Sequence, residues 1–198
     1  MLALLVITGL AGTVTPTSLS GKERKFAIGL FKDTKAGVVK SVKGLSQTQL
    51  DYKAAPANRS VKECVYHIAM SEKNLWDLME AALKQPANPE KRPQIKMTDE
   101  QLVKAIADKN DKVAGLAVFE SRQAPYKSIN EALESFKTAR ANHIKYVKTT
   151  TEDLRNHVVQ TPFGWLDCYQ LCLVISSNSN RHLQQIEELK ASPNFPKQ

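Results

Sequence analysis

Apolar residues return every three or four positions along most of this chain, the period of an α-helix with one buried face. Four segments carry the pattern long enough to be full helices. The first spans about residues 22–42, with Phe26, Leu30, Val38 and Val42 in the apolar row and Gly44 beyond its end. The second follows Ser60 with Val61, Cys64, Val65, Ile68, Leu75, Leu78, Met79 and Ala82, and stops before Pro86. The third covers about 129–154 through Leu133, Phe136, Ile144 and Val147. The last runs from about 166 to 189, where Pro193 and Pro196 block continuation. A shorter helix near 99–116 is predicted inside the long connection from Gln85 to Lys127.

Three of these helix starts carry a hydroxyl residue followed three positions later by Glu or Gln: Ser60 with Glu63, Thr98 with Gln101, and Ser128 with Glu131. Each pair can satisfy two of the backbone donors that a helix start leaves bare. The sequence has no alternating Val/Ile/Thr-rich strand, and Pro162-Phe163-Gly164 reads as a turn. The predicted fold is therefore all-α, a four-helix bundle. Its long link falls between the second and third helices, which lets those two run the same way, up-down-down-up.

The last helix breaks its own apolar row. Along Leu171, Ile175, Asn178, His182, Ile186 and Leu189 the steps are 4, 3, 4, 4 and 3, so an amide and an imidazole fall where the core should be most apolar, with Ser179 beside them. Burying such groups costs free energy unless each finds a partner. His67 lies seven residues into the second helix and His182 lies seven residues before Leu189, both roughly 10 Å from a helix end. If those helices are antiparallel neighbours, the two imidazoles meet at one level.

Neutral imidazole is the usual ligand of zinc, nickel or iron, so His67 and His182 are candidate metal ligands. Asn178, one turn before His182, could add an amide oxygen, a weaker donor. The competing reading is a pair of hydrogen-bonded core histidines. Glu72 falls in the apolar arc of the second helix, either orienting a ligand or paired with a buried Lys or Arg. Cys64, one turn before His67, reads as a packed thiol. His143 and His157 read as exposed-face or loop histidines without a role, and Trp76 and Trp165 as packing anchors.

At these positions the chain resembles the DinB-like bundles of the DinB/YfiT superfamily. Ser60-Val61-Lys62-Glu63-Cys64-Val65-Tyr66-His67 is similar to the S-x-x-E-x-x-x-H signature that opens their second helix. Thr161-Pro162-Phe163-Gly164, then Asn178 to Ile186 and Ser192 to Pro196, resemble the closing helix and its flanks. The likeness extends over about residues 22–197 and implies a four-helix bundle, often a homodimer, with a divalent metal held by three histidines. His67 and His182 match two of those ligands. The closing motif normally reads H-x-x-x-H, and Asn178 occupies the first His position. The family's known chemistry includes thiol-dependent transfer and hydrolysis, so the resemblance implies a metal-dependent hydrolase or thiol transferase with a weakened zinc or nickel site. The alternative is a non-catalytic module that has lost its metal and binds a small ligand or supports a dimer.

Composition narrows the remaining options. An apolar fraction of 42% and a charged fraction of 24% in 198 residues suit one globular domain, taken here as residues 20–198. The net charge of +8 is spread among acids, as in Lys145, Lys148, Glu152, Asp153 and Arg155, so a nucleic-acid partner is disfavoured and a small molecule preferred. Three cysteines with no Cys-x-x-Cys argue against a disulfide framework. Residues 1–19 form an apolar N-terminal segment, uncharged through Gly12 and too short to span a membrane. It reads either as a truncated signal peptide of an exported (periplasmic or secreted) protein or as a loose extension of a cytoplasmic one. Thr13 stands where a lipidated Cys would follow Leu10-Ala11-Gly12.

Overall fold

The computed structural model describes residues 18–108 and 125–197. The apolar segment over residues 1–17 and the end of the predicted 99–116 helix lie outside these. In chain order the helices are α1 (Gly21–Val42), α2 (Gln47–Asp51), α3 (Val61–Leu83), α4 (Asp99–Ala107), α5 (Ile129–Thr149) and α6 (Cys168–Ala191). A short 3₁₀ turn, Pro89–Gln94, precedes α4, and strands β1 (Val158–Thr161) and β2 (Gly164–Asp167) precede α6.

Side-chain caps set most of the helix starts. Ser60/Glu63 and Thr98/Gln101 form the expected reciprocal pairs, and Ser20/Glu23 and Ser46/Gln49 form two more. At α5 the pair is only half made: Ser128 Oγ accepts from Glu131 N, whereas the Glu131 carboxylate accepts from Lys127 N. The α5 helix ends at Thr149, short of the predicted Leu154. Its cap, Thr150, is extended within a Thr149-Thr150-Thr151 run that disfavours helix. Arg24 closes that end by donating to the carbonyls of Val147 (2.6 Å) and Thr150 (2.8 Å).

The hairpin β1–β2 corrects the expectation of no strand. Its register pairs Val158 with Asp167 and Thr161 with Gly164, and Gly164 takes φ +102°, a conformation that favours glycine. Strands of four residues are too short to show alternation in the sequence.

The long helices form a ring in which α1 and α3 each pack against both α5 and α6. Along α3 and α6 the contacts run in opposite senses: His67 meets His182, and Met79 meets Cys172. Along α3 and α5 they ascend together: Tyr66 meets Tyr126 just before α5, Glu72 meets Arg140, and Trp76 meets Tyr146. That is the pattern of two helices running the same way.

The apolar interior falls into two clusters. One holds Phe31, Leu75, Met79, Val147 and Leu171; the other holds Val38, Val65, Ile68, Phe136 and Ile186. Every long helix contributes buried polar residues between the clusters or at the edge of the second: Thr34 on α1, His67, Ser71 and Glu72 on α3, Arg140 and His143 on α5, and Ser176 to Ser179 with His182 on α6. A polar layer crosses the whole bundle. Of the predicted apolar positions on α1, Phe26 is the exception, 37% exposed.

Candidate metal centre

The α3 and α6 helices each bring one imidazole to this layer. The rings of His67 and His182 lie edge to face with centroids 4.3 Å apart, both almost completely buried. His182 Nδ1 is 2.8 Å from Gln185 Oε1, and His67 Nε2 shares a 3.2 Å hydrogen bond with Ser71 Oγ. His67 Nδ1 and Asn178 Oδ1 are buried with no hydrogen-bond partner. Unpartnered buried polar atoms are uncommon, and each requires a reason. Asn178 shares its helical face with His182, one turn away.

Burial, the adjacent His182 and the charge of Arg59 together push His67 down to about 2. Burial and the nearby arginines push His182 down to about 4, against the opposing bond from Gln185. At neutral pH both rings are therefore uncharged, and each keeps one nitrogen lone pair.

A cleft of about 630 Å³ opens beside this pair, within the range of small-molecule sites. Its lining includes Lys53, Arg59, Cys64, Tyr66, His67 and Gln185. The Cys64 thiol is pushed up to about 12 by burial, so it is not a nucleophile near neutral pH. Cys168 and Cys172 are buried too, and all three cysteines are free.

Glu72 directs its carboxylate to α5. Both its oxygens accept from Arg140, and Oε1 also bonds His143 Nδ1 at 2.8 Å. It is the Glu paired with a buried cation. Arg140 makes further bonds to Thr34 Oγ1 (2.6 Å), the Phe31 carbonyl (3.3 Å) and Ser179 Oγ (2.9 Å), and lies about 5 Å from the ring centroids of Phe31 (4.9 Å) and Phe136 (5.0 Å). One guanidinium thus ties α5 to the other three long helices.

His143 corrects the sequence reading: it is 4% exposed, bonded to Glu72 and stacked on Trp76 at 3.6 Å. The signal was present in the row Phe136, Arg140, His143, Val147, with steps of 4, 3 and 4, which an apolar-only count passes over. His157 is a loop residue, as expected, with Nδ1 at the Asp153 carbonyl and Nε2 at that of Gln85. Trp165 lies on β2 with Lys91 over its ring.

A sequence profile of the DinB superfamily matches residues 30–186, most of the chain. The chain belongs to the DinB superfamily. Its fold is similar to that of YfiT from Bacillus subtilis, with a TM-score of 0.63 over 88% of this chain and 90% of that one, at 16% identity. YfiT is described as "a probable metal-dependent hydrolase with an unusual four-helix bundle topology". No curated protein matches the chain.

The donors in this DinB-superfamily chain can be tested against a divalent ion directly. Among the described residues no three His, Cys, Asp or Glu side chains converge as a metal-holding group. What the bundle offers instead is two facing neutral imidazoles, one with an unpartnered nitrogen, and on α6 an unpartnered amide oxygen one helical turn before His182. Such a set suits a divalent ion bound more weakly than by three imidazoles. Among the described residues, no helix is long and apolar enough to cross a membrane.

Proposed function

We propose that this chain is a metal-dependent hydrolase of the DinB kind, with His67, His182 and Asn178 as donors to a zinc or nickel ion and the adjoining cleft admitting a small substrate. The observation that supports it is the buried, uncharged imidazole pair with His67 Nδ1 and Asn178 Oδ1 both lacking partners. A divalent ion held there would supply Lewis acidity, which makes water a nucleophile near neutral pH. The chain's own part is to keep the rings neutral, exclude bulk water from them, and leave the cleft open on one side. Glu72 does not serve as base in this reading, because Arg140 and His143 occupy its oxygens. YfiT, of similar fold and described as a probable metal-dependent hydrolase, supports the reaction class.

The test is elemental analysis of untagged protein together with zinc titration. Binding at micromolar affinity or better, lost in His67→Ala and His182→Ala, is the expected result. If the parent binds neither zinc nor nickel, the reading fails. The second reading, a cleft that binds a small molecule without catalysis, draws its support from Asn178 standing where the family motif has a histidine.

A further inference from the structure

Gln185 stands where the buried imidazole pair meets the open cleft. It follows His182 by three residues on α6 and shares its face, in the row Asn178, His182, Gln185. Its Oε1 lies 2.8 Å from His182 Nδ1, and the Cys64 thiol on α3 approaches the same oxygen at 4.0 Å. The residue itself lines the cleft.

An amide oxygen has lone pairs and no proton, so the ring must donate at Nδ1. A neutral imidazole has a single N–H. The bond to Gln185 therefore fixes that proton on Nδ1 and leaves Nε2 with the lone pair. The contact at the other ring is different in kind. Ser71 Oγ, 3.2 Å from His67 Nε2, can donate or accept, so it does not decide which nitrogen of His67 is bare. Of the two contacts, only that of Gln185 selects a tautomer.

We infer that Gln185 is a positioning residue: through Oε1 it holds His182 in the Nδ1–H form, which makes Nε2 the nitrogen available to a ligand. Partners of this sort set ring orientation and basicity in metal sites, and their loss commonly costs ten- to a hundredfold in metal affinity. The consequence for metal binding rests on the function proposed above; the tautomer does not.

The experiment uses full-length, metal-free protein labelled with ¹⁵N-histidine, whose ring nitrogen shifts report the tautomer directly, at pH 8. Parent and Gln185→Glu are expected to hold His182 as Nδ1–H, because a carboxylate also accepts there. Gln185→Leu, which cannot accept, is expected to give a mixture of tautomers. In a zinc competition titration Gln185→Leu should bind roughly ten- to a hundredfold more weakly than the parent, with Gln185→Glu restoring affinity. A His182 tautomer that ignores residue 185 overturns the inference whatever zinc does. A tautomer that follows residue 185 in a protein that binds no metal upholds Gln185 and sinks the metal reading instead.

Discussion

Glu72 and Arg140 form a two-point ion pair with no solvent exposure on either side chain, Nε to Oε1 at 2.8 Å and Nη2 to Oε2 at 2.5 Å. Burial alone would raise the Glu72 carboxyl, but Arg140 and His143 outweigh it and hold it below the usual range. An intact buried pair adds little net stability, whereas a broken one leaves a charge without a partner. Arg140→Met should therefore destabilise the bundle by about 3–5 kcal/mol in urea unfolding. Glu72→Met combined with Arg140→Met should recover most of that loss. A single-variant cost under about 1 kcal/mol would mean that water already reaches Glu72.

The helices were legible in the sequence because each needs only local information: a cap, a period of three to four, and a proline or glycine beyond the end. His67 and His182 were legible for a similar reason, since equal depth on two neighbouring helices is a count along the chain. Arg140 and His143 were not. Their partners lie on other helices, and a cation inside an apolar row looks like a gap in the row until Glu72 is seen opposite. The hairpin is not legible in the sequence because pairing between β1 and β2, not side-chain alternation, defines strands this short.

Acid should weaken the metal-free protein well above the carboxylate range. Both imidazoles titrate lower in the fold than the ordinary 6.5, His67 at about 2 and His182 at about 4. As pH falls below about 6.5, the unfolded chain takes up protons that the folded chain refuses, so stability drops. Two such groups give roughly 2–2.5 kcal/mol per pH unit between about 6 and 4. Glu72, depressed in the fold, adds a loss of the same sign only at lower pH. Urea midpoints at pH 7, 6 and 5 should fall steadily, and a His67→Gln, His182→Gln protein should show a flatter profile. A midpoint unchanged from pH 7 to 5 would show that both rings titrate in the fold as they do in the unfolded chain.

Asn178→His tests the departure from the family motif. Exchanging an amide oxygen for an imidazole one turn before His182 gives the site three strong donors. Zinc affinity should rise at least about a hundredfold, close to 3 kcal/mol by competition titration. In that background His67→Ala should remove the gain, because a third ligand helps only where the other two converge. Equal affinity in parent and Asn178→His would place residue 178 outside the ligand set.

Two glycines of α1 separate helix propensity from packing. Gly29 has open space where a Cβ would stand, so Gly29→Ala should stabilise the protein by about 0.5–1 kcal/mol. At Gly37 the same atom would stand 2.5 Å from Leu183 Cδ2, on the residue after His182, where α1 and α6 approach each other. The propensity gain is the same there, but overpacking costs about 1–3 kcal/mol and should cancel or reverse it. Leu183→Ala in the Gly37→Ala background should relieve the contact, so the two changes together cost less than their sum. Calorimetry of the four proteins gives the coupling. Additive effects would mean that Leu183 turns aside freely and that α1 and α6 are not held together at this point.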